Sequence, residues 1–453
     1  MNERIDQYKE QTLFQITWPI FIEIALHMSM GIIATFMLSH YSDAAAAGVG
    51  VANQLLNIFI IVFNVTSVGA TILIGQKLGA GKLQEAKQMS HSAFGLNFWF
   101  GVIVAFIIFI FGDYFLRLFD VQGQVYEYGL IFIRICGLSL FFESLSLALS
   151  AILRSYGFTK ESMYVTVFMN VISVGGNILA LSGIFGLPIT GVTGVSWAIV
   201  AARAVAVLVL LYLLFRKLSL SMKIKDIIKI NREDFSGLLK IGIPSAGEGL
   251  SYQFSQLIIT GIIVSLGDAS LAARVYIVNI SMLCYLFSVA ISNGTQILVA
   301  RYFGGQKYDR AFGQGIRSLH ISMLTSFIMS LMIALIGAPI LRIFTEDPAI
   351  LAVGIPVLWA IVFIEPGRAM NIVLMNILKS TGDVRFPLIT GIIFMWGIAV
   401  VFSYILGIHL SLGLLGVWVA QGIDEWVRGL LALKRWKSKS WERKIKVSYV
   451  RTK

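Results

Sequence analysis

Apolar runs of about 20–28 residues, each nearly free of charge, recur along the whole chain, and this feature limits the fold more than any other. A helix of about 20 residues crosses a hydrocarbon layer of about 30 Å. Inside such a layer only helices or closed barrels satisfy their own backbone groups, and barrel strands would alternate over about ten residues instead. Composition agrees: 57% of the 453 residues are hydrophobic and 13% charged, against about 25% charged in soluble domains. The chain therefore reads as an all-α membrane protein. Twelve spans are expected, at 12–40, 49–76, 88–112, 128–151, 162–185, 191–216, 236–264, 274–301, 315–343, 351–379, 385–408 and 412–434. Gly112-Asp113, Leu187-Pro188 and Glu346-Asp347-Pro348 punctuate the gaps. The first apolar stretch is full length with no small-residue cleavage site, so it is expected to stay as a span and not act as a signal peptide.

Basic residues set the expected orientation. Lys77, Lys82, Lys87, Arg154, Lys160, the 216–240 stretch, Arg301, Lys307, Arg310, Arg317, Lys379, Arg385 and the tail from Lys434 gather on one side. The opposite loops hold Arg117, Arg274 and Arg342. Both termini are thus expected in the cytoplasm of a multi-pass cell-membrane protein. The net charge of +12 follows from this one-sided distribution and argues against a nucleic-acid partner. Cys136 and Cys284 fall inside apolar segments and read as small hydrophobes, with no metal-type spacing and no disulfide framework.

The two halves superpose at a shift of 225 residues. Pro19 falls on Pro244, Glu23 on Glu248, and Asp43-Ala44 on Asp268-Ala269. Leu78-Gly79-Ala80-Gly81-Lys82 falls on Phe303-Gly304-Gly305-Gln306-Lys307, and Leu116-Arg117-Leu118-Phe119 on Leu341-Arg342-Ile343-Phe344. Ile152-Leu153-Arg154-Ser155 falls on Ile377-Leu378-Lys379-Ser380, and Gly191–Ala198 falls on Gly413–Ala420 after a three-residue slip. An ordered series of this kind indicates duplication. Each copy has six spans, so both insert the same way up, as parallel repeats expected to enclose a central cavity. The expected organisation is an N-terminal six-helix lobe at 1–216, a linker at 217–235, and a C-terminal lobe with its basic tail at 236–453.

The duplicated loops carry a family pattern. Gln76-Lys77-Leu78-Gly79-Ala80-Gly81-Lys82 with Ala86, and Arg301-Tyr302-Phe303-Gly304-Gly305-Gln306-Lys307 with Ala311, resemble the loops after helices 2 and 8 of the multidrug and toxic compound extrusion (MATE) family. Ile152–Gly157 and Ile377–Gly382 resemble its loops after helices 4 and 10, and Lys240–Pro244 resembles the opening of helix 7. The loop also has its own physical reading: Gly79 and Gly81 permit a tight turn, and the spacing is not that of a phosphate-binding loop. The resemblance implies two six-helix lobes around a cavity and export of small organic, often cationic, compounds, driven by H⁺ or Na⁺ without ATP or other cofactor. Family carboxylates are missing where the pattern would put them: Ala34, Tyr252 and Arg368 occupy those positions.

Ionisable residues at membrane depth cost roughly 2.5–3.5 kcal/mol each on insertion scales and usually face the interior. Glu23, Arg134, Glu143, Arg203, Glu248, Glu365, Arg368, Asp424, Glu425 and Arg428 are of this kind. Glu23 and Glu248 lie one turn past a proline, which leaves an unpaired carbonyl nearby, and a carboxylate there could carry a proton. Glu365 and Arg368 share a helix face, and Pro356 and Pro366 are expected to break that helix. A Glu143–Arg368–Glu365 network is expected, so Glu23, Glu248, Glu143, Glu365 and Arg368 are the ion-coupling candidates. Asp424, Glu425 and Arg428 form a cluster on helix 12, matched by Arg203 in the other half. Asn53, Asn57, Gln253, Gln256 and Asn279 are candidate cavity residues for a small-molecule substrate. The expected activity is secondary-active efflux by a monomer in the bilayer, with no enzymatic chemistry. The alternative is a flippase for a lipid-linked or anionic amphiphilic substrate, motivated by Arg368.

Overall fold

The computed structural model describes residues 11–119, 121–186, 188–220 and 230–442. The tail beyond 442 and the middle of the 217–235 connection lie outside these residues. The described residues form helices α1 (Leu13–Ser39), α2 (Asp43–Gly79), α3 (Leu83–Arg117), α4 (Gly123–Ser155), α5 (Thr159–Ser182) and α6 (Gly191–Leu218). The second set is α7 (Arg232–Val264), α8 (Asp268–Gly304), α9 (Tyr308–Leu335), α10 (Pro348–Ser380), α11 (Arg385–His409) and α12 (Gly413–Lys437). A short helix, Gly337–Phe344, follows α9.

Local chemistry sets several helix ends. Thr12 and Gln15 cap the start of α1 reciprocally, through Thr12 N–H to Gln15 Oε1 at 3.0 Å and Gln15 N–H to Thr12 Oγ1 at 3.4 Å. Asp347 caps α10, which opens on Pro348. The turns after α4 and α10 need left-handed backbone and take it at repeat-related glycines, Gly157 (φ 96°) and Gly382 (φ 84°). Gly81 does the same after α2 at φ 75°, whereas Gly79 is simply the last helical residue.

Ten of these helices are long and apolar enough to cross a membrane. The two others, α7 and α12, carry Glu248 and the Asp424–Glu425–Arg428 cluster. The helices overrun the expected spans: α2 and α8 have 37 residues each, or about 55 Å at 1.5 Å per residue. The apolar run measures only the hydrocarbon crossing, and the hydrogen-bonded helix continues beyond it. Asp268 thus opens α8 and does not sit in a loop. Pro356 and Pro366 lie inside an unbroken α10. The irregular helix is α11, which contains π-helical turns at Met395–Val400 and Ile405–His409.

The chain divides into two compact units, residues 1–242 and 243–453. In the first unit α4 packs against α2, α3 and α6; in the second α10 packs against α8, α9 and α12. The neighbours match one for one, as a duplication requires. Close approach of α2 to α4 depends on Gly48, where a Cβ would lie 2.3 Å from the Val125 carbonyl oxygen. Each unit has two apolar clusters. In the first unit one is built around Ile74, Leu153 and Leu214 and the other around Val49, Phe132 and Val195. The second unit has one around Ile259, Ile361 and Val417 and another around Leu374, Trp436 and Trp441. In sequence the buried charges fall between the clusters: Glu143 between Leu140 and Leu145, and Glu365 between Ile364 and Met370. Large apolar side chains such as Phe106 and Phe363 are exposed, at 64% and 78%, as expected of lipid-facing surface.

Candidate functional site

The first site motif is an ion pair repeated in each unit. In unit 1 Arg154 Nη1 donates to Glu23 Oε1 at 2.5 Å, and Ser162 Oγ donates to the same oxygen at 3.1 Å. In unit 2 Lys379 Nζ lies 2.6 Å from Glu248 Oε2. Glu23 and Glu248 are equivalent under the 225-residue shift, and so are Arg154 and Lys379. The basic residue of each loop motif therefore reaches back to neutralise the carboxylate that lies one turn past the in-helix proline, Pro19 or Pro244. Both carboxylates are largely buried, where an unpartnered charge would be costly.

The second motif is also repeated, but with its signs exchanged. In unit 1 Glu143 Oε2 on α4 lies 3.1 Å from Arg203 Nε on α6, and Arg203 Nη1 donates to Ser139 Oγ at 2.6 Å. In unit 2 the corresponding positions on α10 and α12 are Arg368 and Glu425, with Arg368 Nε 3.6 Å from Glu425 Oε1. The Glu365–Arg368 arm of the expected Glu143–Arg368–Glu365 network is present, whereas its Glu143 arm is replaced by the pair with Arg203. Glu143 and Arg368 are equivalent positions in different repeats, and each is partnered inside its own unit. Arg203, the repeat-related counterpart of Glu425, pairs with Glu143 inside unit 1.

Unit 2 builds further on this pair. Arg368 Nη1 donates to Glu365 Oε1 at 2.5 Å, and Asn371 Nδ2 donates to Glu425 Oε2 at 2.7 Å. Arg428 pairs with Asp424, its Nε lying 3.0 Å from Oδ1, and its Nη2 is 3.5 Å from Glu425 Oε2. Glu365 Oε2 is buried and accepts no hydrogen bond. With every group ionised, Glu248, Glu365, Asp424 and Glu425 face Arg368, Lys379 and Arg428, leaving one negative charge in excess. In unit 1 the corresponding buried pairs, Glu23–Arg154 and Glu143–Arg203, balance.

The network borders a cavity of about 220 Å³ among α7, α8, α10, α11 and α12. Tyr252, Tyr285, Met375 and Met395 supply its aromatic and soft apolar surface; Arg368, Lys379, Arg428, Glu248 and Glu425 supply its charge. Tyr252 and Arg368, which stand where the family pattern would put carboxylates, both face this cavity. Met395 enters it from the first residue of a π-helical turn of α11, a kind of irregularity often found at functional sites.

The polar cavity candidates Asn53, Asn57, Gln253, Gln256 and Asn279 are not part of this lining. Asn57, Gln253 and Asn279 are exposed and Asn53 is half-buried. Asn279 donates to the Val275 carbonyl of its own helix at 3.0 Å, while Gln256 bonds Gln421 at 3.0 Å. Sequence reasoning overlooked Lys379, Asn371 and Tyr285, which line the cavity, and Gln421, the partner of Gln256. A signal existed for Lys379, which repeats Arg154 as Glu248 repeats Glu23. Among the described residues no group of three or more His, Cys, Asp or Glu side chains could hold a metal ion.

The family model described as MatE matches residues 19–179 and again 244–405, one copy in each repeat. The chain belongs to the MatE family. A Bacillus subtilis relative described as an uncharacterized transporter, YisQ, is 38% identical over 436 residues, covering 96% of each chain. The Thermotoga maritima protein named Probable multidrug resistance protein NorM is 25% identical over 453 residues, covering all of this chain and 97% of that one. Among solved structures, a MATE protein in a bent conformation superposes with a TM-score of 0.89 at 17% identity, over 98% of this chain and 99% of that one. A MOP superfamily transporter from Pyrococcus furiosus, reported with reversed polarity of its binding pocket, superposes with a TM-score of 0.87 at 18% identity, over 96% and 97%. These similarities establish a MatE fold of twelve membrane helices in two six-helix repeats.

Proposed function

We propose that this MatE protein is a secondary-active exporter of small organic compounds, cationic amphiphiles among them, and that its coupling ion is H⁺. The observation that carries the reading is the unmatched carboxylate of unit 2. One negative charge in excess at membrane depth is completed either by one proton or by one monovalent cation, so proton and cationic substrate compete for the same deficit. Sodium suits the site poorly, because each of its four carboxylates already holds an arginine or lysine and a hard cation needs several free oxygen ligands. Glu365 is the proposed proton acceptor, through its unbonded Oε2. Protonation there weakens the 2.5 Å pair with Arg368 and lets Arg368 move toward Glu425, now 3.6 Å away. The rearrangement joins α10 to α12 and gives protonation a way to alter their packing. The basic-rich ends are proposed to face the cytoplasm in a cell membrane, and the working unit is proposed to be the monomer.

A second reading has its own support. Arg368, Lys379 and Arg428 all line the cavity, which suits an anionic headgroup and hence a flippase for an anionic or lipid-linked amphiphile. Transport by purified protein in proteoliposomes separates the two. Under the first reading an imposed pH gradient drives uptake of cationic or neutral amphiphiles, and Glu365→Gln lowers gradient-driven transport at least about tenfold, the scale of a single lost charge-assisted contact. Transport driven by a Na⁺ gradient at constant pH would refute proton coupling, and movement of anionic amphiphiles alone would replace the first reading by the second.

A further inference from the structure

The polar face of α7 continues beyond the cavity. Ser245, Glu248, Tyr252, Gln256 and Thr260 recur at three- and four-residue spacing, so they share one face for about 22 Å at 1.5 Å per residue. Gln421, Glu425 and Arg428 form a matching row on α12. Both rows line or approach the cavity, and one turn past Tyr252 they are bridged: Gln256 Nε2 donates to Gln421 Oε1 at 3.0 Å. The other end of the Gln256 carboxamide, Oε1, accepts from Arg274 Nη2 at 3.4 Å, and Arg274 Nη1 also bonds the Thr260 hydroxyl. Thr260 is near the end of α7 and Arg274 near the start of α8, so this cluster sits close to the turn between them.

Chemistry orders the cluster. A guanidinium only donates, whereas a carboxamide has one accepting and one donating end. Arg274 therefore holds the oxygen of Gln256 toward itself and turns the nitrogen toward Gln421. Arg274 makes no ion pair among the described residues, and a half-buried guanidinium without a carboxylate calls for polar or aqueous surroundings.

We propose that the α7–α12 seam is an aqueous access path to the charged cavity from the end of unit 2 that carries the α7–α8 turn. The Gln256–Gln421 bridge closes this path, and Arg274 is the positioning residue that keeps the bridge aligned. The inference deepens the proton-coupling reading by giving the proton a route to the carboxylates, but its test does not depend on that reading.

The test uses the full chain with Cys136→Ala and Cys284→Ala, and a reporter thiol at the cavity-lining Ile372→Cys. The protein is reconstituted in oriented proteoliposomes, and a charged, membrane-impermeant methanethiosulfonate is added on the side of the α7–α8 turn. Gln421→Leu and Arg274→Gln are each expected to raise the modification rate about tenfold, the factor for one lost bridging hydrogen bond. Arg274→Lys, which keeps a donor, stays near the parent rate. A control thiol at Leu324→Cys, on the apolar surface and 60% exposed where Leu324 stands, stays slow throughout and reports any general loosening. Unchanged rates at Ile372→Cys in both Gln421→Leu and Arg274→Gln overturn the proposal, as does a rise seen only with reagent on the other side. If Glu365→Gln transports normally while these rates rise, the coupling reading fails and the path stands.

Discussion

Exchange of charge within the Glu143–Arg203 pair is the sharpest test of how these units are held together. The pair is 3.1 Å apart with side chains only 4% and 12% exposed. Removing one partner of such a buried pair typically costs about 3–5 kcal/mol, because the remaining charge is left uncompensated. Arg203→Glu, which sets two carboxylates face to face, is expected to reach at least that range. At roughly 2–4 °C per kcal/mol for a unit of this size, the melting temperature in detergent falls by about 6–20 °C. The double exchange Glu143→Arg with Arg203→Glu is expected to recover most of the loss. Unit 2 already carries the opposite polarity at the same two positions on the same scaffold, and the Ser139 hydroxyl can donate to a carboxylate as readily as it accepts from a guanidinium. The parallel exchange in unit 2, Arg368→Glu with Glu425→Arg, is expected to fail. The new arginine would face Arg428, which now lies 3.5 Å from Glu425, and the new glutamate would face Glu365, now 2.5 Å from Arg368. Thermal unfolding of purified protein, followed by intrinsic fluorescence for the four single variants and two doubles, supplies both cycles. A unit 1 double no more stable than its weaker single would refute the reasoning, and so would equal recovery in both units.

Other expectations concern separate features. Glu248→Gln and Glu365→Gln impair gradient-driven transport in proteoliposomes more than Asp268→Asn, since Asp268 only opens α8; equal transport by all three contradicts this. Asn371→Leu removes the 2.7 Å bond to Glu425 and lowers the transport rate about tenfold or less, with folded yield by size-exclusion chromatography little changed. Gly48→Ala drives a Cβ against the Val125 carbonyl and costs about 1–3 kcal/mol of stability, read as a melting-temperature fall, whereas Gly50→Ala, with open space around it, is neutral.

Much of this site was legible as residue identities and little of it as partnerships. The shift of 225 residues pairs Glu23 with Glu248 and Arg154 with Lys379, and an ion pair within each unit follows only once α4 and α10 bring their loop ends back to α1 and α7. The exchanged signs at Glu143 and Arg368, and at Arg203 and Glu425, were visible in the alignment of the two halves. Equivalent positions in a duplication, however, are related by symmetry and need not touch, which is why Glu143 could be expected beside Arg368 when its partner is Arg203. Prolines were a poor guide to irregularity: Pro356 and Pro366 are absorbed within α10, while the π-helical turns of α11 carry no proline.

By itself the sequence determined that the chain crosses a membrane as helices, that six of them are repeated with the same polarity, and that ten ionisable groups fall within the expected spans. These follow from local hydropathy and from self-similarity, which need no knowledge of distant contacts. Only the tertiary structure decided which carboxylate meets which base, that the Glu23–Arg154 and Glu143–Arg203 pairs of unit 1 balance while the cavity network of unit 2 has four carboxylates against three bases, and that a cavity forms beside that network. The rotation of each helix about its axis is set by packing, through approaches as close as Gly48 to Val125, and an ion pair joins side chains as far apart in sequence as Glu248 and Lys379.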